Sequence, residues 1–238
     1  ITDDVLGMDL PLPSKEGFIR QVLGWREFVH HVHLATDGFR TIPTGKIPVA
    51  KRPGDGGYSR WAGKAWPDKW SRKDPDGGAK PSFLGANNPL PQAYWGEESG
   101  LNCLDQVVSQ VWREGYGHHI TRLMVLANLA TLLEISPREL TDWFWVAYGD
   151  AYDWVVEPNV LGMGTYAVGD LMTTKPYTSG AAYINKMGDF CQSCLFDPKK
   201  NCPITNLYWS FLDRNQEALK SNPRLRMIMA TLGKRNKS

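Results

Sequence analysis

The chain has 238 residues, 42% of them hydrophobic, and a formal net charge of +2 at pH 7. This composition is ordinary for a globular protein with a core, and the charge is too small to indicate nucleic-acid binding by itself. The longest apolar stretch, around 123–133, is interrupted by polar residues and is shorter than the roughly 20 residues of a membrane span, so no transmembrane helix is expected. Because the N-terminal residues have none of the features of a signal peptide, we expect a cytoplasmic fragment.

Helical periodicity predicts an all-α fold, since no alternating strand pattern of useful length is present. The first helix is predicted at 16–34, with Ser14 as its N-cap and a buried apolar face that includes Phe18 and Val29. The further predicted helices lie at about 103–114, 118–134, 137–148 and 222–233.

The helix predicted at 137–148 has a distinct start signal. Ser136, Pro137 and Glu139 occupy the cap, first and third positions of a capping box.

The sequence contains neither an internal repeat nor a glycine-rich phosphate-binding loop. The fold class therefore depends on the helical pattern alone.

Between about 37 and 100 the helical pattern gives way to Gly, Pro, Lys, Asp and Trp. A connection of this length without regular structure is uncommon in a compact domain, which indicates a functional or disordered segment. Its basic and indole side chains suit a nucleic-acid backbone and stacked bases. The alternative is a solvated surface insertion whose charge is balanced by Asp68, Asp74 and Asp76. The basic and indole residues are Arg60, Lys64, Lys69, Arg72, Lys73, Trp61, Trp66 and Trp70.

The four cysteines follow a pattern typical of a metal or redox centre. Cys191 and Cys194 form a CxxC pair, Cys202 follows in the same turn-rich stretch, and Cys103 lies far upstream. Without secretory features, such spacing argues against a disulfide framework. Four thiolates suit an iron–sulfur cluster or a structural zinc ion, and unrelated buried thiols are the third alternative. A compact trio that ends in Cys-Pro, with one remote cysteine, favours the cluster.

Several motifs together resemble one family. The segment at 24–28, Gly-Trp-Arg-Glu-Phe, resembles a helix shared by photolyases and cryptochromes. The prokaryotic iron–sulfur branch, the (6-4) photolyase-like proteins, has segments similar to those at 117–125, 150–154, 158–159 and 175–177, and a similar cysteine trio. The match runs from about Glu16 to Arg226, without the Gly/Pro-rich insertion. Under this resemblance, an iron–sulfur cluster is favoured well above zinc.

The resemblance implies that residues 1–238 form a photolyase/cryptochrome C-terminal FAD-binding helical domain with an insertion at about 37–100. The family's N-terminal α/β antenna domain, where a lumazine pigment is expected, would be absent from this bacterial polypeptide. The implied cofactors are FAD and a four-iron four-sulfur cluster.

The implied activity is light-driven repair of pyrimidine (6-4) photoproducts in UV-damaged DNA, by electron transfer from reduced FAD in a monomeric enzyme without membrane contact. Two alternatives stay open. One is a cryptochrome-type blue-light photoreceptor of the same fold, and the other is a non-enzymatic, cluster-containing module that binds nucleic acid.

The resemblance also implies roles for individual residues. His118 and His119 correspond to the histidine pair at the lesion, and an imidazole that titrates near neutrality suits a proton donor. Tyr177 corresponds to a tyrosine that lines the lesion pocket, while Trp25 and Arg26 correspond to residues that contact the lesion or form the flavin pocket wall. The alternative roles are helix capping for the histidines and core packing for the aromatic residues.

Residues of the implied flavin site form a second group. Arg122, Asp150 and Asn159 match segments that surround FAD, where a guanidinium pairs with phosphate and amide or carboxylate groups bind the ring edge or ribose. Trp143 and Trp95 match an aromatic chain that reduces the flavin from the surface, with core packing as the alternative.

Two positions depart from the family pattern. Glu157 lies one position from the expected carboxylate, and on a helix this shift turns a side chain by about 100°. Phe144 stands where a tyrosine often assists electron transfer. We therefore expect differences in flavin tuning and in the electron path.

Overall fold

The computed structural model describes residues 1–50 and 76–235, and helices account for most of its regular structure. The all-α prediction is confirmed. The α-helices are α1 (Thr2–Gly7), α2 (Leu12–Ile19), α3 (Glu27–Ala35), α4 (Asn102–Glu114), α5 (His119–Thr121), α6 (Asn128–Leu132), α7 (Pro137–Ala147), α8 (Asp153–Glu157), α9 (Ala181–Met187), α10 (Pro203–Arg214), α11 (Gln216–Leu219) and α12 (Arg226–Arg235).

Shorter elements extend or connect these helices. The π-helical segments are Arg20–Arg26, Arg122–Ala127 and Pro158–Gly164, and the 3₁₀ segments are Gln92–Trp95, Gly169–Leu171 and Pro223–Leu225. Strands β1 (Thr41–Ile42) and β2 (Gly45–Lys46) pair antiparallel and form the only sheet within 1–50 and 76–235. Over the same ranges, no helix combines the length and apolar character that crossing a bilayer requires.

The first predicted helix exists, but its packing differs from the prediction. Residues 12–35 are continuously helical, yet the N-cap is Pro11 and not Ser14. Within this stretch only Val29 is buried, and Phe18 is 45% exposed. Full burial is reached only in α3, which packs against α8, although the half-buried Trp25 also packs against the core.

The start of α7 shows a second difference. Pro137 occupies the first turn as predicted, but the side chain of Ser136 makes no capping hydrogen bond. The carboxylate of Glu139 instead accepts a hydrogen bond from the backbone N–H of Leu90 at 2.7 Å. The predicted capping box is therefore wrong, since its acid is used in a tertiary contact.

The main core lies between α4, α6, α7, α10 and α12. Trp143, Tyr94, Leu126 and Leu129 are among its most completely buried side chains. Each such side chain contributes roughly 1.5–3 kcal/mol through burial of apolar surface. The hydroxyl of Tyr94 donates to the carbonyl of Leu126 at 2.7 Å, so this buried polar group is satisfied.

The two ends of the predicted insertion are held together by backbone hydrogen bonds. Ala50 N donates to Gly78 O at 3.0 Å, and Lys80 N donates to Pro48 O at 2.7 Å. The described parts of 37–100 also contain the sheet and the first 3₁₀ segment, so this region is not loop throughout. Arg40 pairs with Asp76 at 2.7 Å. All the predicted basic and indole residues from Arg60 to Lys73, with Asp68 and Asp74, lie outside the described residues.

A buried charge network connects the paired ends of the predicted insertion to the helices. Arg138 pairs with Asp142 at 2.7 Å and with Glu157 at 2.9 Å, and Nε2 of His33 lies 3.0 Å from the second oxygen of Glu157. Gly78 has φ of +89°, and a Cβ at this position would lie 2.6 Å from the guanidinium of Arg138. A glycine is therefore required where the loop closes over the network.

Candidate functional site

A pocket of about 260 Å³ opens among three segments of the described chain, at 116–127, 144–151 and 155–164. Four of the predicted site residues line it, namely His119, Arg122, Asp150 and Asn159. Apolar side chains, including those of Leu123, Val156 and Met163, form the rest of the wall. This mixture of apolar surface and a few convergent polar groups is typical of a small-molecule site.

Arg122 is fixed from three sides. Its two terminal nitrogens donate to the two carboxylate oxygens of Asp150, each at 2.9 Å, and its Nε donates to the carbonyl of Gly117 at 2.7 Å. The guanidinium also lies 4.1 Å from the centroid of the Tyr148 ring. A bidentate pair with a stacked ring holds the positive charge in one orientation at the pocket wall.

Tyr148 is a pocket residue that the sequence analysis placed only at the end of a helix. It is 4% exposed, and its buried hydroxyl has no hydrogen-bond partner among the described residues. Burial raises the pKa of this phenol, which therefore stays neutral and available as a donor. Gly117 lies close by, since a Cβ there would be 3.1 Å from the Tyr148 oxygen. A bound molecule with an acceptor atom would satisfy this hydroxyl.

The two predicted histidines have different surroundings. His118 is exposed, and its Nδ1 caps α5 by accepting a hydrogen bond from the backbone N–H of Ile120 at 3.2 Å. His119 lines the pocket, although part of its ring is exposed. Burial of the remainder, with the charges of His118 and Arg122, lowers the pKa of His119 below 6.5. Only His119 thus faces the pocket, and its neutral form dominates at pH 7.

Asn159 connects the pocket to the first long helical segment. Its Oδ1 accepts a hydrogen bond from the indole of Trp25 at 2.9 Å, while its Nδ2 donates to the carbonyl of Val155 at 2.7 Å. The guanidinium of Arg26, the residue after Trp25, lies 5.4 Å from the centroid of the Trp154 ring. Trp25 therefore orients a pocket amide, whereas Arg26 stacks on an aromatic ring beside the pocket segments.

Tyr177 and Glu157, both named by the sequence analysis, do not line the pocket. Tyr177 is 38% exposed and lies outside the lining. Glu157 is buried in the network with Arg138 and His33, between the lining residues Val156 and Asn159. Burial favours a higher pKa for Glu157, but the hydrogen bonds from His33 and Arg138 and the positive charge of Arg138 lower it overall. The carboxylate of Glu157, which lies one position from the carboxylate of the family pattern, therefore points into the protein interior.

An array of aromatic rings begins behind the pocket wall. The rings of Phe144 and Tyr148, which line the pocket, stack with their centroids 5.0 Å apart. The centroid of the fully buried Trp143 ring lies 5.3 Å from that of Phe144 and 6.2 Å from that of Trp112. Trp112, in turn, lies 5.8 Å from Trp95. The sequence analysis named Trp143 and Trp95 but missed Trp112, the residue that contacts both.

The cysteine-rich loop is joined to the start of α4. Nδ2 of Asn102 donates to the carbonyl of Phe190 at 2.7 Å and to the hydroxyl of Ser193 at 3.1 Å. Each of these three residues immediately precedes a cysteine. The bonds therefore hold the start of α4, which carries Cys103, beside the loop that carries the CxxC pair. Asn102 was not predicted, because its role depends on a contact between distant parts of the chain.

The four cysteines are free thiols, and Cys103 and Cys202 are buried. Cys103 lies in the first turn of α4, and Cys202 is the N-cap of α10, positions where backbone N–H groups point outward and favour negative charge. Burial raises the pKa of Cys103 to about 12, and the charges of the other three thiols contribute to that increase. All four sulfurs are thus within electrostatic reach of one another.

The thiol arrangement among the described residues is not that of a preformed metal centre. Among the described residues, no group of three or more His, Cys, Asp or Glu side chains is arranged to hold a metal ion. A structural zinc ion holds its sulfur ligands at about 2.3 Å, which requires them to be packed closely around it. The geometry of the described residues therefore does not distinguish a zinc ion from a cluster.

The helical fold and the pocket define a helical domain with a small-molecule site. No family model matches the chain. A protein called (6-4) photolyase, from Agrobacterium fabrum, is 36% identical over 226 residues, which is 93% of this chain and 37% of that protein. The uncharacterized protein R855 of Acanthamoeba polyphaga mimivirus is 32% identical over 102 residues, which is 43% of this chain and 80% of that protein.

The chain is therefore a photolyase/cryptochrome-related protein. It spans 37% of the length of its photolyase relative. Residues 1–50 and 76–235 form an all-α domain similar to a photolyase C-terminal domain.

Proposed function

We propose that this chain is the helical part of an enzyme that repairs pyrimidine (6-4) photoproducts in UV-damaged DNA, driven by light and reduced FAD. The observation that carries the proposal is the pocket in which Arg122, Asp150, Asn159 and the pocket-facing His119 meet. The similarity to a protein named as a (6-4) photolyase supports the same activity.

The lining of the pocket fits a flavin. Apolar walls suit a planar ring system, and the unsatisfied hydroxyl of Tyr148 suits one of its acceptor atoms. Arg122 would supply positive charge and Asn159 an amide, both already held in place by other side chains. The pocket volume of about 260 Å³ lies just below the roughly 300–1,000 Å³ of typical small-molecule sites, so the pocket would enclose only part of FAD. When bound and reduced, FAD would supply the electron that light transfers to the lesion.

His119 is the residue we propose as the proton donor to the lesion. Because its pKa is lowered, its protonated form is a stronger acid than an ordinary imidazolium. His118, which caps α5 through Nδ1, would act by fixing the start of the helix that carries His119. Tyr177, Arg26 and the half-buried Trp25 would contact damaged DNA, as the resemblance implies.

The proposal is tested by illuminating the complete, flavin-reduced protein with a duplex that carries one (6-4) photoproduct. A matched duplex with a cyclobutane dimer and a dark sample are the controls. We expect light-dependent loss of the (6-4) lesion alone. Unchanged lesion in protein that has flavin bound would contradict the repair activity and favour a blue-light photoreceptor.

We further propose that Cys103, Cys191, Cys194 and Cys202 bind a four-iron four-sulfur cluster. The bonds from Asn102 to the CxxC loop support convergence of the four thiols, and two helix N-termini favour thiolate charge. A cluster would tie α4 to the segment that leads into α10 and so restrict the unfolded chain.

Chemical analysis tests the cluster. Anaerobically prepared protein is expected to contain iron and acid-labile sulfide in equal amounts, and Cys194→Ala is expected to prevent soluble folding. A soluble Cys194→Ala variant with normal thermal stability would exclude a structural role, and protein free of iron would exclude the cluster itself.

A further inference from the structure

The segment that carries Tyr177 is held by side chains and not by regular secondary structure. Residues 174–179, the Tyr177 segment, lie between the 3₁₀ segment Gly169–Leu171 and α9, and they form neither helix nor strand. Among the described residues, their backbone makes no hydrogen bond to another backbone group. The position of Tyr177, which is 38% exposed, therefore depends on the side chains that bind this segment.

Asn128 holds the C-terminal end of the Tyr177 segment. Its Nδ2 donates to the carbonyl of Ser179 at 3.1 Å, and its Oδ1 accepts a hydrogen bond from the backbone N–H of the same serine at 2.9 Å. Asn128 is fully buried in α6, and the residue before it, Ala127, lines the pocket. The Tyr177 segment is thus bound to the helix beside the pocket wall.

Asn222 holds the N-terminal end of the same segment. Its Nδ2 donates to the carbonyl of Thr174 at 2.8 Å, while its Oδ1 caps the 3₁₀ segment Pro223–Leu225 by accepting a hydrogen bond from the N–H of Arg224 at 2.9 Å. Between the two asparagine contacts, the ring of the buried Pro176 fixes a backbone angle. Because the backbone around Tyr177 is already restrained, little conformational freedom is lost when this residue binds a partner.

We propose that Asn222 is a positioning residue for Tyr177, so that the turn before α12 sets how well the protein distinguishes damaged from undamaged DNA. The proposal rests on the proposed function, in which Tyr177 contacts damaged DNA. Stacking of an aromatic side chain on a base changes affinity by roughly 5- to 150-fold, and this gain requires the ring to be held in the right place. Asn222 acts without touching DNA, because it fixes the backbone at Thr174.

The two hydrogen-bonding roles of Asn222 can be separated by substitution. Asn222→Asp keeps the acceptor that caps the 3₁₀ segment but has no side-chain N–H to donate to Thr174. Asn222→Ala loses both roles. An effect of the cap alone would therefore be seen only in Asn222→Ala, whereas loss of the Tyr177 position would be seen in both variants.

The test compares the affinities of the complete protein, in the dark, for two duplexes that differ only in one (6-4) photoproduct. The ratio of the damaged-duplex affinity to the undamaged-duplex affinity cancels the general effect of the added charge in Asn222→Asp on phosphate binding. We expect Tyr177→Ala, Asn222→Asp and Asn222→Ala each to lower this ratio by about fivefold or more. Asn88→Ala should keep the ratio and is the control, since it removes a similar bond from Nδ2 to a distant carbonyl, that of Leu133, at 2.8 Å.

A double-mutant cycle shows whether Asn222 acts through Tyr177. If it does, Asn222→Asp should not lower the ratio further once Tyr177→Ala is present. Equal effects of Asn222→Asp with and without Tyr177→Ala, or an unchanged ratio in Asn222→Asp alone, would overturn the inference, and a large loss in Tyr177→Ala would then leave the proposed function intact. An unchanged ratio in Tyr177→Ala would overturn the proposed contact with the lesion, and the inference with it.

A second measurement needs no DNA. Chymotrypsin cleaves after tyrosine where the backbone can open locally, and peptide mass spectrometry locates the cleaved bond. We expect cleavage after Tyr177 to be several times faster in Asn222→Asp than in wild type or in Asn88→Ala, at equal melting temperature. Equal cleavage rates at this bond would overturn the inference whether or not the protein binds damaged DNA.

Discussion

Trp112 and Trp143 donate their indole N–H groups to the same carbonyl oxygen, that of Tyr94, at 2.9 Å each. This arrangement joins three elements, since Tyr94 belongs to the first 3₁₀ segment, Trp112 to α4 and Trp143 to α7. Loss of either indole leaves the carbonyl with the other donor, so the acceptor is never unsatisfied. The contributions of the two tryptophans to the free energy of unfolding should therefore differ mainly because one ring is more buried than the other.

Truncation of the two rings is expected to show this difference. Trp143→Ala removes a fully buried ring and should lower the free energy of unfolding by about 3–5 kcal/mol. Trp112→Ala removes a ring that is 43% exposed and should cost clearly less. Urea unfolding followed by circular dichroism measures both, and equal losses would contradict the assignment of Trp143 to the core.

The network around Glu157 predicts a dependence of stability on pH. Its folded pKa is lowered relative to the unfolded value, so its contribution to stability is present above the unfolded value and is lost as the pH falls through the folded pKa. Glu157→Gln should therefore be less stable than wild type at pH 7, and the difference should shrink in acid. Urea unfolding at a series of pH values tests this. A difference that stays constant from neutral pH to strong acid would contradict the prediction.

The lowered pKa of His119 predicts a pH profile for repair. The protonated form increases as the pH falls through a pKa below 6.5, so the rate of lesion loss per flash should rise from neutral to mildly acidic pH. His119→Asn should be slow at every pH. His118→Asn is the matched control, because asparagine retains the N-cap function. A profile that is the same in wild type and His119→Asn would exclude His119 as the donor.

Tyr148→Phe is expected to affect stability and flavin binding in opposite directions. The hydroxyl is buried without a partner, so its removal should leave the free energy of unfolding unchanged or raise it. A flavin that accepts a hydrogen bond from this group would be bound more weakly by about 0.5–1.5 kcal/mol. Thermal unfolding and flavin titration measure the two effects. Unchanged affinity would show that the flavin does not contact this hydroxyl.

The helices were predictable from sequence because their apolar spacing is local. The helix at 102–114 and the one that starts at Pro137 are found close to their predicted bounds. Burial was less predictable, since Phe18 follows the helical pattern and is nevertheless 45% exposed. Whether an apolar face is covered depends on which element packs against it, and the pattern of one helix does not contain that information.

The same distinction between local pattern and tertiary packing applies to the site residues. His119, Arg122, Asp150 and Asn159 were identified through motifs, and the structure brings them to one pocket. Trp112 and Tyr148 were missed, because their significance arises from contacts between α4, α7 and the pocket wall. Only tertiary packing reveals that an exposed indole touches a buried one.

The central claim is that the pocket around Arg122 binds flavin, and FAD titration of the complete protein tests it most directly. Arg122→Met removes the charge and its bidentate pair with Asp150, while far-ultraviolet circular dichroism reports whether the helices remain. We predict saturable flavin binding in wild type and its loss in a folded Arg122→Met variant. Wild-type protein that neither contains nor takes up flavin, or a variant that binds it with wild-type affinity, would contradict the claim.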